Sequence, residues 1–243
     1  MHGKNKRVKI AAVGDIHTHH GNRGFFRELF AEISGAADIL LLCGDLTNSG
    51  LPEEAAVLAD NFAALDIPVL GVLGNHDHQH DKTEEIKQIL SGAGMVLLED
   101  QNFEFKGLGF AGTKGFGGGF GNHMLVSYGE RAVKTFVGEA VNESLKLENN
   151  LRSLDTKKNV VVLHYSPVIA TVRGESPEIF PFLGCSRLAE TIDRFNISAV
   201  FHGHVHHGQA IGQTKKGIPV YNCCFELLKH KQNRHPYVLM DIG

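Results

Sequence analysis

The chain predicts an α/β fold with a parallel sheet whose strand ends carry the functional groups. Two observations lead there. Early in the chain, three apolar runs alternate with stretches of helical spacing, the pattern of strand–helix repeats. Each run also stops at a glycine and then presents Asp, Asn or His: Gly14-Asp15-Ile16-His17, Gly44-Asp45-Leu46-Thr47 and Gly74-Asn75-His76-Asp77. In open α/β sheets a ligand sits beyond the carboxyl ends of the strands, so all three clusters fall at the ligand edge.

The elements follow in order. Residues 8–13 form the first strand, and residues 22–33 place Phe26, Leu29, Phe30 and Ile33 on one helical face. The second strand, 39–43, is apolar throughout, as expected where both faces are buried. Pro52 opens a helix to about residue 65, with acids just inside its first turn. The third strand, 69–73, leads into the Asn-His-Asp cluster; a short helix at 82–90 and shorter strands at 95–98, 102–105 and 108–111 come next.

Residues 115–121 are five glycines and two phenylalanines, read as a mobile loop at the mouth of a site. Their GxGxxG-like spacing lacks the strand-to-helix turn of a dinucleotide site. A long helix spans 131–154, and a strand at 159–163 ends in His164-Tyr165-Ser166-Pro167. Residues 168–185 are irregular, and Ser186 caps a helix to about residue 195. A strand at 197–201 ends in His202-Gly203-His204-Val205-His206-His207, and 218–223 and 237–240 read as closing strands. With no repeat, linker or low-complexity stretch, 1–243 reads as one domain.

Bulk composition narrows the function. Hydrophobic residues make up 42% and charged residues 21%, ordinary for a globular protein with a sizeable core. A formal net charge of -3 gives no basic footprint and argues against nucleic acid. No apolar run is long enough to span a membrane. The basic stretch 1–9 precedes an apolar run too short for a secretion signal, so the expectation is a cytoplasmic protein with a frayed tail. Cys43, Cys185, Cys223 and Cys224 form no CxxC pair and read as reduced, buried residues. The 15 histidines point instead to metal or proton chemistry.

Collected from the strand ends, the polar set is Asp15, His17, Asp45, Asn75, His76, Asp77, His164, His204 and His206. Carboxylate, imidazole and amide without thiolate suit Mn, Fe or Zn. Asp15-x-His17 and His204-x-His206 have the spacing that lets two side chains point the same way in extended backbone. A single strand-end histidine is ordinary structure, but five such clusters at one sheet edge bury charge at a cost that metal ions remove.

In this order, Asp-x-His, Gly-Asp, Gly-Asn-His-Asp, a lone His after a strand, and Gly-His-x-His resemble the calcineurin-like metallophosphoesterase superfamily, over residues 14–206. The resemblance implies a four-layer sandwich of two mixed β-sheets flanked by helices, with two divalent metal ions at the carboxyl ends of the strands. It implies that Asp15, His17 and His206 hold the first ion, that Asn75, His164 and His204 hold the second, and that Asp45 bridges them. His76 would approach the phosphate or protonate the leaving oxygen, with Asp77 orienting it through the other ring nitrogen. Such an ion pair brings a shared water to hydroxide near neutral pH.

The implied activity is hydrolysis of a small phosphodiester, with a phosphomonoesterase as the alternative. A non-catalytic scaffold of the same fold conflicts with a full set of ligand positions. Many cyclic-nucleotide phosphodiesterases of the superfamily have two histidines before the Pro of the fourth motif; Leu163-His164-Tyr165-Ser166-Pro167 departs from that and argues against such a substrate. Specificity is expected in loops 113–130 and 166–185, with His123, Tyr165 and Arg173 as the candidates to touch substrate, Arg173 because guanidinium matches phosphate geometry.

Overall fold

The computed structural model describes residues 7–99, 101–231 and 235–243; residues 1–6 of the expected N-terminal tail lie outside them. The first sheet has the order β11-β1-β2-β3-β4, with β1 (Val8–Val13), β2 (Ile39–Cys43), β3 (Val69–Val72) and β4 (Met95–Leu97) parallel and β11 (Val238–Ile242) antiparallel at the edge. In the second sheet β6 (Leu108–Thr113), β7 (Lys158–Leu163), β8 (Ile197–His202) and β10 (Pro219–Asn222) are parallel, and β5 (Phe103–Phe105) and β9 (Ile211–Gln213) close the two edges antiparallel. Both sheets are therefore mixed.

Side-chain alternation builds the layers. Leu40 and Leu42 of β2 face outward onto Phe30 and Ile33 of α1 (Arg27–Ala36), Leu58 of α2 (Pro52–Asn61) and Ile86 and Leu90 of α3 (Thr83–Gly92). Ile39, Leu41 and Cys43 face the other way, meeting Phe110, Val160, Val162 and Phe201 of the second sheet. This two-sided burial is why β2 is apolar throughout. Beyond the second sheet, Leu147 and Leu151 of α4 (Arg131–Arg152) and Leu188 and Ile192 of α7 (Ser186–Ile192) cover Val161, Leu163 and Val200. The result is helices, sheet, sheet, helices.

Several local expectations change. The first helix starts at Arg27, because Gly24 takes a φ of 76° and Asn22 accepts the His19 N–H in a separate turn. Ser186 does not cap its helix: it is the first helical residue, and its hydroxyl accepts the Gly121 N–H. The stretch 168–185 contains two single-turn helices, α5 (Ile169–Val172) and α6 (Phe180–Leu183). The glycine-rich loop is not free. Gly118 and Gly119 donate to the carbonyls of Pro181 and Gly184, Ser186 donates back to Gly119, and Gly117 to Phe120 are buried. Its glycines serve close packing and positive φ rather than mobility. The sequence reading also lacked β9 and α8 (Phe225–Lys231).

Candidate metal centre

The site is assembled from strand ends of both sheets, and its backbone is strained. Six described non-glycine residues have positive φ; four of them are Asp15 (55°), His17 (42°), Asp45 (49°) and His204 (69°). Left-handed backbone at such residues persists only where surroundings enforce it, and it concentrates at functional sites. Here interlocking backbone hydrogen bonds enforce it. Asp15 and His17 donate to the carbonyls of Gly44 and Asp45, Gly203 donates to His164, and both His164 and Tyr165 donate to Lys114. Close approach does the rest: a methyl group at Gly74 would land on the Asp45 carboxylate and amide nitrogen.

The side chains then converge. Atoms of Asp45, His164 and His204 lie within 4.8 Å of one another, as do those of His17, Asp45 and His76, and those of Asp15, His206 and Cys224. Asp45 is shared by two of these groups. Its Oδ1 is 3.3 Å from His164 Nε2, and its Oδ2 is 3.9 Å from His17 Nε2 and 4.0 Å from His76 Nε2. Asn75 Oδ1 is 2.9 Å from His164 Nε2, and His206 Nε2 is 3.3 Å from Asp15 Oδ1. The structure thus brings together Asp15, His17, Asp45, Asn75, His76, His164, His204 and His206.

Electrostatics say what this arrangement wants. Burial pushes the imidazoles of His17 and His164 down to about 4 and that of His204 to about 3, so all three are neutral at pH 7. Burial, and then the Asp15 charge, push Asp45 up to about 7. Burial also works against the Asp15 charge, but the His206 hydrogen bond and the neighbouring imidazoles outweigh it; the same bond raises His206.

The hydrogen bonding of His164 shows that the donors fit a divalent cation. His164 Nδ1 donates to the Cys43 carbonyl at 2.9 Å, so the neutral ring turns a lone pair at Nε2 toward the oxygens of Asn75 and Asp45, acceptor against acceptor. His17 Nδ1 is buried with no hydrogen-bond partner. The misfit at His164 disappears when a cation takes the Nε2 lone pair, and a carbonyl-oriented imidazole is the usual way to present one.

His76 sits beside this cluster, its ring 4.6 Å from that of His17, and its Nδ1 is 2.7 Å from the Asn48 carbonyl. The expectation that Asp77 orients this ring is corrected here. Asp77 is fully buried and accepts from Leu46 N, Thr47 N, Thr47 Oγ1 and Gly74 N, stapling the loop after β2 to the loop after β3. Four donors occupy its oxygens, and the orienting acceptor for His76 is a backbone carbonyl, invisible in a sequence motif.

The three substrate candidates separate. Tyr165 lies at the centre, its ring 4.3 Å from that of His204. His123 lies elsewhere, in a groove with Pro167, Glu190, Asp193 and Lys215 that contains none of the donors. Arg173 is exposed at the end of α5, outside the clefts that meet the centre. Sequence reasoning missed Cys224, whose thiol joins Asp15 and His206; its place just past the end of β10 was the available signal, because the other donors follow strands in the same way.

Comparison with known proteins agrees with this fold. A calcineurin-like phosphoesterase family profile matches residues 8–208, and the chain belongs to that family. A curated protein of Arcobacter nitrofigilis, described as a probable glycerophosphodiester phosphodiesterase, is 23% identical over 173 residues, 70% of this chain and 56% of its own length. The chain thus spans little more than half of that relative. Among solved structures, phosphopantetheinyl hydrolase of Mycobacterium tuberculosis superposes with a TM-score of 0.72 at 14% identity, covering 98% of this chain and 97% of its own. A second structure, TT1561 of Thermus thermophilus, gives 0.59 at 17% identity, covering 98% and 99%. At these identities the structures share the fold.

Proposed function

We propose that the protein is a metal-dependent phosphodiesterase acting on a small diester, with Asp15, His17 and His206 holding one divalent ion, Asn75, His164 and His204 a second, and Asp45 shared. The observation that carries the reading is the position of His76: a ring held by a backbone carbonyl at Nδ1, with Nε2 turned toward the donor cluster without being needed to complete it. When bound, the two ions supply charge neutralisation at the phosphoryl oxygens and a water acidified toward neutral pH.

This chain's own residues do the rest. Asp15, Asp45 and the neutral imidazoles define where the phosphoryl group rests. The Asn48 carbonyl keeps the Nδ1 proton in place, so that Nε2 of a protonated His76 can give its proton to the departing oxygen. Asp77 keeps the loops of Asp45 and His76 in register through its four hydrogen bonds. The Arcobacter relative's description supports a diester over a monoester.

The test is turnover of bis(p-nitrophenyl) phosphate against p-nitrophenyl phosphate by Mn-loaded protein. Preference for the diester is expected. Preference for the monoester would make a phosphomonoesterase the correct reading, and absence of turnover with metal bound would remove the enzymatic reading altogether.

A further inference from the structure

Two clefts open onto the donor cluster, one at Asn75 and His204 and the other at Asp15 and His17, and they differ in chemistry. One, of about 440 Å³, has Asn75 and His204 as its floor and the rings of Phe116, Phe136, Tyr165 and Phe182 as walls. The rings brace one another: Phe116 is 4.9 Å from Phe136 and 5.7 Å from Tyr165, and Phe136 is 6.1 Å from Phe182. The buried Lys114 ammonium lies 4.9 Å from the Phe116 ring and 5.5 Å from the Tyr165 ring, fixing both. At the mouth, Phe182 remains 59% exposed and Ile179 40% exposed, apolar surface that a bound group would cover. The volume lies within the range of small-molecule sites and exceeds the roughly 150 Å³ that holds a single benzene ring. The second cleft, of about 280 Å³, begins at Asp15, His17 and Asn48; it too has aromatic lining, Phe25, Phe26 and Phe225, but adds the side chains of Asn22, Glu226 and Lys229, whose like the first cleft lacks beyond its floor.

We infer that the substrate is a diester with two unlike substituents: an apolar, ring-bearing group that lodges in the aromatic cleft and stays on the phosphate, and a polar alcohol that leaves through the second cleft. The inference rests on the phosphodiester reading above and adds its substrate class and direction of cleavage. The direction follows from His76, which packs on His17 and bonds to Asn48, two residues of the second cleft, the one that carries charged side chains. Its Nε2 proton therefore reaches the ester oxygen on that side. In the step, a water oxygen bonds to phosphorus, the bond from phosphorus to the polar alcohol's oxygen breaks, and that oxygen keeps the electron pair and takes the His76 proton. The attacking water's proton is lost to solvent. The products are the monoester of the apolar group and the free polar alcohol.

Benzyl glyceryl phosphate tests this, because its two alcohols are intrinsically similar leaving groups. With Mn-loaded protein, phosphorus NMR should report benzyl phosphate, with glycerol as the co-product; glycerol phosphate as the main product would overturn the assignment. The KM for this diester should lie about tenfold or more below that for methyl glyceryl phosphate, from burial of the ring. Phe182→Ala, an exposed position, and Phe116→Leu should each shrink that ratio; an unchanged ratio in both overturns the aromatic cleft as the binding site. If neither diester is turned over, the phosphodiester reading fails, and calorimetry with benzylphosphonate against methylphosphonate still decides the cleft. Tighter binding of the benzyl compound, reduced by Phe182→Ala, supports it, and equal binding refutes it.

Discussion

On one side of Asp45, the imidazoles of His164 and His204 each have one nitrogen committed to a backbone carbonyl, those of Cys43 at 2.9 Å and Phe182 at 3.2 Å, which leaves the other nitrogen as a lone pair at the centre. On the other side, His17 has no hydrogen bond to its buried Nδ1, and the His206 side chain is 39% exposed and shares a proton with Asp15. Each proposed half carries two imidazoles on strand ends, beside the Asn75 amide in one and the Asp15 carboxylate in the other, yet one has its rings oriented by backbone carbonyls and the other does not. If the proposed ions bind here, the hydrogen bond on the far side of each ring is expected to set their affinities apart.

The largest expected effect tests whether His76 belongs to the loosely held half or stands apart from it. Its Nε2 lies within the group formed with His17 and Asp45, so proximity alone would make it a ligand. As a proton donor, His76→Ala should lower turnover of the diester by about 10²–10⁴-fold while metal content, read by atomic emission, stays that of the wild type. Loss of both together would break the comparison by making His76 part of the donor set.

The comparison also predicts two unequal ions. Carbonyl partners behind metal-bound imidazoles are worth about 10–100-fold in affinity. Titration of metal-free protein with Mn²⁺ should therefore resolve two steps separated by about that factor, and His17→Ala should weaken only the looser one. Two equal steps, or weakening of the tighter step by His17→Ala, would erase the distinction between the halves.

How much of this was legible in the sequence depends on whether a feature resides in side-chain pattern or in backbone. Strand ends were legible because β2 and β7 are continuous apolar runs that stop abruptly at polar residues, and that pattern located every proposed donor from Asp15 to His206. The Asn48 carbonyl was not, since any residue at that position offers one, and the motif-based choice of Asp77 as orienting group failed for this reason. β9 is three residues with one apolar side chain, and α8 is seven, too short for a period to emerge. His123 was a matter of distance along the chain mistaken for distance in space: the glycine-rich loop is anchored to residues 181–186 by backbone hydrogen bonds and carries His123 into a separate groove.

The smallest expected effect concerns what holds the pre-oriented half in place. Glu143 of α4 accepts from Thr113 Oγ1 at 2.5 Å, Gly115 N at 2.8 Å and Lys146 Nζ at 2.6 Å, and the residue between those two backbone positions, Lys114, supplies the carbonyl that receives both His164 N and Tyr165 N. Burial works to raise the Glu143 carboxyl, but the charges of Lys114 and Lys146 and the Thr113 hydrogen bond outweigh it and hold it below the usual carboxylate value of 4.5. A carboxyl lowered in the folded state binds its proton less readily there than in the unfolded chain. Its stabilisation is thus fully present above the unfolded value and is lost as pH falls through the folded one. Glu143→Gln should cost about 1–3 kcal/mol of stability at pH 7, measured by urea unfolding of metal-free protein, with the cost shrinking as pH drops below about 4. A cost that is the same at both pH values would mean that the shape of Glu143, and not its charge, braces the loop on which His164 depends.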